Sequence, residues 1–87
     1  MLIAMYYVYV LLSETLKEHY VGYSTDLRSR VATHNKGGVV ATKNGRPWKP
    51  VYYEAYLTEA LARKRGLSLK RNRGRSLQLL YKRIMES

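Results

Sequence analysis

Two short tyrosine-rich segments near the start of the chain constrain its fold most strongly. Residues 6–12 (YYVYVLL) and 18–23 (EHYVGY) are rich in aromatic and β-branched side chains, which favour β-strands. The largely polar stretch 13–17 separates them, so the two segments are predicted to pair as an antiparallel hairpin. Gly22 marks either the end of the second strand or a close approach of the backbone to another group.

The sequence STDL follows the hairpin and predicts the start of a helix. Ser24 or Thr25 is expected to cap the first free amides, and Asp26 falls in the first turn, where a negative charge is favoured. Three further residues recur at helical spacing and define one side of this helix, namely Leu27, Val31 and His34.

Residues 35–50 contain too many helix and strand breakers for a long regular element. We predict a long loop here, with at most one short helical turn. Its basic residues form a candidate edge for phosphate contacts: Lys36, Lys43, Arg46 and Lys49. A solvated basic loop without such a role explains the same charges equally well.

The second half of the chain predicts one more strand and two helices. Residues 51–57 (VYYEAYL) have strand composition, and Thr58 is a suitable cap for a helix that starts at Glu59. One side of that helix is marked by Leu61, Arg65 and Leu69, and a last helix over residues 76–85 presents Leu77, Leu80 and Ile84. The chain is therefore expected to form one α+β domain, residues 1–87, with a three-stranded antiparallel sheet flanked by helices.

The charge of the chain points to a polyanionic partner. Sixteen Lys and Arg residues against six acidic ones give a formal net charge of +10 and a pI near 10.1. The absence of cysteine excludes disulfides and thiolate metal sites, and leaves only His19 and His34 as nitrogen ligands, so no structural zinc is expected. No apolar run approaches the roughly 20 residues of a membrane span, and no basic leader precedes the first strand. We expect a cytoplasmic protein that does not bind membranes.

Several residues stand in an order that points to one family: YVY at 7–9, YVG at 20–22, TDL at 25–27, then Arg30 and His34. On these residues the chain resembles the GIY-YIG nuclease family, specifically its small stand-alone bacterial members. It is also similar to the N-terminal incision domain of the nucleotide-excision-repair C subunit. The resemblance covers nearly the whole chain, because residues 24–37 resemble the first-helix stretch of the family and residues 46–57 resemble its third strand.

The resemblance implies roles for four residues. Tyr9 and Tyr20 are expected to lie side by side at a catalytic face, Arg30 to contact the scissile phosphate, and His34 to support it. The resemblance also implies nucleic acid as the partner, with DNA favoured, and a divalent cation (Mg or Mn) as the cofactor. A tyrosine, with an ordinary pKa of about 10, can act as general base only where nearby cations such as Arg30 favour its phenolate.

The remaining aromatic and imidazole side chains are predicted to have no catalytic role. Tyr6, Tyr52 and Tyr53 are expected to be packing residues of the sheet, and His19 is expected to lie on the surface.

The chain departs from the family pattern at its proposed metal position. Residues 62–70 read ARKRGLSLK, in which Ala62, Arg65, Leu69 and Lys70 match the pattern and Gly66 stands where a metal-binding glutamate belongs. Glycine offers a hard cation no side-chain oxygen. Glu59 lies roughly 10 Å from that position along a helix axis, and Glu54 is predicted on the third strand, so neither is a convincing substitute.

Three hypotheses follow for the function. The chain is a nuclease scaffold whose catalysis is impaired and whose basic surface still binds nucleic acid; or another carboxylate completes a metal-dependent endonuclease; or the chain is a small basic RNA-associated protein that needs only charge and aromatic residues. The basic stretch with Lys70, Arg71 and Arg73 fits all three, because clustered cations bind phosphates regardless of sequence.

Overall fold

The computed structural model describes residues 4–71 and 75–86 and contains one three-stranded sheet. Its strands are β1 (Tyr6–Ser13), β2 (Glu18–Ser24) and β3 (Trp48–Tyr56), arranged in the order β2-β1-β3 with both pairings antiparallel. The predicted hairpin and α+β fold class are thus confirmed. Strand β3 begins at Trp48 rather than at residue 51, because Trp48 and Pro50 still pair with β1 beyond an irregularity at Val10 and Leu11.

The first helix, α1 (Leu27–Asn35), begins with a different cap from the one expected. The side chain of Asp26, not that of Ser24 or Thr25, accepts a hydrogen bond from the Ser29 amide at 3.1 Å. Ser24 is used in the preceding turn instead, where its hydroxyl oxygen accepts from the Asp26 amide at 3.0 Å. The cap therefore lies two residues later because Ser24 closes the turn between β2 and α1.

The helical turn expected within residues 35–50 is present as a short 3₁₀ helix, Val40–Gly45. Trp48 fixes this segment to the sheet, since its buried indole Nε1 donates to the Thr42 carbonyl oxygen at 2.6 Å. Gly45 is required at this contact, because a Cβ there would overlap the Trp48 ring. The side-chain amide of Asn35 donates to the Trp48 carbonyl oxygen at 3.0 Å, which joins the end of α1 to the start of β3.

The other two helices are α2 (Glu59–Lys70) and α3 (Arg75–Glu86). Thr58 caps α2 as predicted, with its hydroxyl oxygen accepting from the Leu61 amide at 3.2 Å. The buried side of α2 includes Leu69, which was predicted, and Ala62, which was not, whereas the predicted Leu61 is 50 % exposed. On α3, Leu80 is buried and Ile84 packs against the core, while the side chain of Leu77 lies outside the described residues.

Two apolar clusters lie on opposite faces of the sheet. Helices α2 and α3 cover one face, where the cluster consists of Val8, Val10, Val21, Ala62, Leu69 and Leu80. Helix α1 covers the other face, where Leu27 and Val31 pack against Tyr9, Leu11 and Trp48. Among the described helices, none combines the length and apolar character needed to cross a membrane.

Candidate functional site

A buried chain of hydrogen bonds connects β1, α1 and the 3₁₀ helix. The imidazole of His34 uses both ring nitrogens, with Nε2 2.9 Å from the Tyr9 hydroxyl and Nδ1 2.7 Å from the Thr42 hydroxyl. The Thr42 hydroxyl donates to the Val39 carbonyl oxygen at 3.4 Å, so it accepts from Nδ1–H. Assigned from these partners, the tautomer leaves Nε2 to accept the proton of the Tyr9 hydroxyl.

Burial keeps this hydrogen-bonded chain uncharged at neutral pH. It raises the pKa of Tyr9 above its ordinary value of 10.0, and a hydrogen bond and positive charge from Arg30 offset this effect only in part. Burial and the charge of Arg30 together lower the pKa of His34 below 6.5. The field of Arg30 is thus too weak to stabilise a Tyr9 phenolate near pH 7, and Tyr9 is a hydrogen-bond donor there.

Thr42 and Trp48 were not predicted as site residues from the sequence. Thr42 is buried and holds His34 in place, while Trp48 holds Thr42 through its carbonyl oxygen. The surrounding sequence is rich in glycine, proline and lysine, and that composition indicates only a basic loop. The alternating pattern of residues 6–12 shows that Tyr9 faces one side of a sheet, but no local pattern indicates a partner so far along the chain.

A groove of about 360 Å³ opens beside these hydrogen-bonded side chains, at the β2 edge of the sheet and between α1 and α2. Its lining includes five residues singled out in the sequence, together with one that was not, Arg63: Tyr9, Tyr20, Arg30, Arg63, Gly66 and Lys70. The ring of Tyr20 contacts His34 edge-on, with 5.1 Å between centroids, and the ammonium of Lys70 lies 5.7 Å from the Tyr20 ring centroid. The structure therefore brings Tyr9, Tyr20, Arg30 and His34 together.

Arg63 is held at the rim of the groove by its neighbours. Its guanidinium donates to the Tyr23 hydroxyl at 2.8 and 3.0 Å and forms an ion pair with Glu59 at 3.0 Å. Both partners of this ion pair are about half exposed or more, so it positions Arg63 and contributes little to stability. With Arg30 and Lys70, the lining of the groove has three cations and no carboxylate among the described residues.

Gly66 and Gly22, the two glycines of the groove, have opposite surroundings. A Cβ at Gly22 would overlap the hydroxyl of Tyr9, its partner across the β1–β2 pairing, so the close approach expected at Gly22 is present. A Cβ at Gly66 would meet no heavy atom within 4 Å. The first glycine is needed for packing and the second is not.

A pair of alanine substitutions tests this difference. Gly22→Ala is expected to lower the free energy of unfolding by about 1–3 kcal/mol, because the added methyl displaces the Tyr9 ring. Gly66→Ala should instead raise it by up to about 1 kcal/mol, since alanine is the better residue in a helix interior. Urea unfolding followed by circular dichroism measures both values, and equal losses in the two variants would contradict the assignment.

Comparison with known proteins identifies the family. A family model described as the GIY-YIG catalytic domain matches residues 5–83. The chain belongs to the GIY-YIG family. The family provides a nuclease scaffold that acts on nucleic acid, and its nucleases generally use a divalent metal.

Relatives of similar size support the same assignment. This GIY-YIG chain is 38 % identical over 78 residues to a UPF0213 protein of Streptococcus pyogenes serotype M3, with 86 % of this chain and 82 % of that protein covered. The corresponding protein of serotype M5 is also 38 % identical, over 76 residues. Among solved structures, the solution NMR structure of a UPF0213 protein from Bacillus halodurans matches 90 % of this chain and 83 % of that one, with a TM-score of 0.58 and 26 % identity.

The described side chains of this GIY-YIG protein do not include a cluster of ligands for a divalent cation. No group of three His, Cys, Asp or Glu residues that could hold a metal is present in the described parts of the chain. Gly66 lines the groove but has no oxygen to offer, and neither Glu54 nor Glu59 lines it. The carboxylate of Glu54 is engaged elsewhere, by the guanidinium of Arg65 at 2.9 and 3.0 Å. No reaction step can therefore be assigned to a metal in this chain.

The basic residues singled out in the sequence are separated by the fold. Lys70 lines the groove, and Arg71 is exposed at the end of α2. Three basic residues of the loop are exposed and do not line the groove, namely Lys36, Lys43 and Arg46. The Arg46 Nε donates to the Lys43 carbonyl oxygen. Arg73 lies outside the described residues. His19, expected on the surface, is partly buried in β2, and burial lowers its pKa to about 4.

Proposed function

We propose that this chain binds nucleic acid, with DNA as the favoured partner, through the phosphates, and that it has lost metal-dependent cleavage. The observation that carries the proposal is the lining of the groove, where three cations lie beside Gly66 and no carboxylate is found among the described residues. Such a groove attracts a phosphodiester but offers nothing to hold a hard cation against it.

The groove residues have chemistry suited to a phosphate. Arg30 stays charged and can donate two parallel hydrogen bonds to phosphoryl oxygens. Lys70 adds a second positive charge from α2, and Arg63 adds a third whose position is fixed by Tyr23. Tyr9 keeps its proton at neutral pH and donates it in a hydrogen bond to His34, so it is suited to hold the buried hydrogen-bonded side chains in place and not to activate a water molecule.

Binding should depend strongly on salt. Fluorescence anisotropy with a labelled DNA duplex in EDTA is expected to show affinity that falls steeply as NaCl rises, without any need for a divalent cation. Lys70→Ala should weaken binding and reduce the slope of log K against log salt by about 1, the value for one lost phosphate contact.

Lys64→Ala is the matched control, because it removes the same charge from an exposed position on α2 that does not line the groove. Its slope should change less than that of Lys70→Ala. Equal changes in both variants would show that binding depends on net charge alone, as expected of a basic RNA-associated protein without a defined site. Affinity that does not vary with salt would contradict phosphate binding altogether.

A further inference from the structure

A second, larger cavity of about 640 Å³ lies on the other flank of α1, between that helix and the β1 and β3 strands. It is an open depression in the surface, and its volume lies within the range of sites that bind small organic ligands. The residues that matter for its chemistry are two aromatic, two apolar and two charged: Tyr7, Tyr53, Leu27, Val31, Arg28 and Asp26.

Tyr53 gives this cavity an aromatic surface that the sheet does not need for packing. The sequence predicted Tyr53 as a packing residue, but its side chain is 58 % exposed. Its ring contacts that of Tyr7 edge-on, with 5.8 Å between centroids and 70° between the planes. An aromatic ring that is both exposed and held by a neighbour is a ready surface for stacking a planar group.

Helix α1 supplies one arginine to each of its two flanks. Arg28 and Arg30 are two residues apart, which is about 200° around a helix. Arg30 therefore lines the groove with Tyr9 and Tyr20, whereas Arg28 lines the second cavity. A polyanion bound along one flank would find a further cation on the other.

We propose that the second cavity is a subsite for an unpaired nucleobase of the nucleic acid held in the groove; this inference rests on the proposed function. The base would stack on Tyr53, with Arg28 near the adjoining phosphate. Asp26 lines the same cavity and uses one carboxylate oxygen for the Ser29 amide, so its other oxygen can accept from an exocyclic amino group of a base.

The charge of the chain argues for this occupant over a second copy of the protein. Two chains that each carry a net charge of +10 repel one another, and Arg28 at the cavity would add to that repulsion. A nucleic acid strand brings both an apolar planar face and the opposite charge.

The test compares two labelled DNA duplexes that differ in a single extra, unpaired adenine in one strand. The chain is expected to bind the bulged duplex more tightly than the fully paired one. Tyr53→Ala should weaken binding of the bulged duplex by at least about fivefold, the lower range of one lost base-stacking contact. It should change the affinity for the paired duplex less than about twofold, and Tyr53→Phe should bind both duplexes like the parent chain.

Leu57→Ala serves as the control, since Leu57 is an exposed apolar residue just after β3 that does not line the cavity. The bulged base is replaced by 2-aminopurine in a second experiment, where stacking on Tyr53 quenches its fluorescence in the parent chain and less so in Tyr53→Ala. Equal effects of Tyr53→Ala on both duplexes, or none on either, would overturn the nucleobase subsite while phosphate binding stands. Failure of the parent chain to bind either duplex would overturn the proposed function itself.

Discussion

Gly66→Glu is expected to turn this chain into a metal-dependent nuclease that nicks supercoiled plasmid in Mg²⁺ or Mn²⁺. Mg²⁺ is commonly held in proteins by one or two carboxylates together with substrate phosphates, so we expect one added carboxylate beside the proposed phosphate-binding groove to recruit it. A bound cation stabilises charge on the phosphoryl group by several kcal/mol. We therefore expect the nicking rate to rise by about 100-fold or more over the parent chain.

The structure makes this substitution a clean test. A Cβ at position 66 would meet no neighbouring heavy atom within 4 Å, and this position lines the groove, so a side chain can begin there without a clash. Gly66→Gln is the matched control, because it has nearly the same shape but no charge for the cation. Combining Gly66→Glu with Arg30→Ala should abolish the gained activity.

One result would contradict the loss of cleavage, and another would contradict the role of the added carboxylate. Strong nicking by the parent chain in Mg²⁺, abolished by Arg30→Ala, would mean that another carboxylate completes the site. Equal nicking by Gly66→Glu and Gly66→Gln would mean that the activity does not depend on a metal-binding carboxylate. Loss of nicking on addition of EDTA is required in every active sample.

Glu54→Gln is expected to cause a large loss of stability at neutral pH, roughly 2 kcal/mol of unfolding free energy. The carboxylate accepts hydrogen bonds from the hydroxyls of Tyr52 and Tyr56 and from the Nε and Nη2 of Arg65, so it joins β3 to α2. The side chain of Glu54 is 18 % exposed and that of Arg65 is 33 % exposed. The expected loss of unfolding free energy is therefore smaller than for a fully buried ion pair. Urea unfolding at pH 7 measures it, and Glu59→Gln is the control at an exposed ion pair.

The effect of Glu54→Gln should disappear in acid. Burial alone would raise the pKa of Glu54, but hydrogen bonds from Arg65, Tyr56 and Tyr52 outweigh it and lower the pKa below 4.5. A carboxyl group with a lowered pKa stabilises the fold above its unfolded value and loses that contribution as pH falls through its folded value. The difference between parent and variant should thus be complete above pH 4.5 and shrink below it; a difference that stays constant would contradict the ion pair.

His19 should also reduce the stability of the parent chain as the pH falls, and this loss begins at a higher pH than the loss from Glu54. Its pKa is lowered by burial from 6.5 to about 4, so the unfolded chain binds a proton there that the folded chain does not. Stability is therefore lost as pH falls from 6.5 to about 4, in parent and Glu54→Gln alike. Comparing the two proteins at each pH removes this contribution.

The parts of the fold that could be predicted from the sequence depend on neighbours along the chain. The aromatic and β-branched composition of residues 6–12 and 18–23, with a polar stretch between them, predicted the hairpin, and Thr58 marked the start of α2. The prediction of Ser24 or Thr25 as the cap of α1 was wrong because serine, threonine and aspartate all suit that role, and only the geometry of the turn selects Asp26.

The site was predictable where a motif named the residue and not where a distant contact defines it. The motif pointed to Tyr9, Tyr20, Arg30 and His34, and the fold brings these side chains together. Thr42 is joined to His34 only by the packing of a loop whose sequence has no regular pattern, so its role required the structure. Tyr53 has the same residue type and strand context as its neighbour Tyr52, and only the structure shows that Tyr52 packs against the core while Tyr53 is exposed.

The placement of arginines on both flanks of α1 has a consequence for selectivity. A strand that contacts both Arg28 and Arg30 has to curve around the helix, whereas an undistorted duplex is stiff over about 150 base pairs. The elastic cost of this curvature depends on the sequence and on local defects, even at bases that no side chain touches. The chain would then discriminate among nucleic acids by how easily they bend, so that nicks, bulges and flexible pyrimidine–purine steps mark its preferred positions.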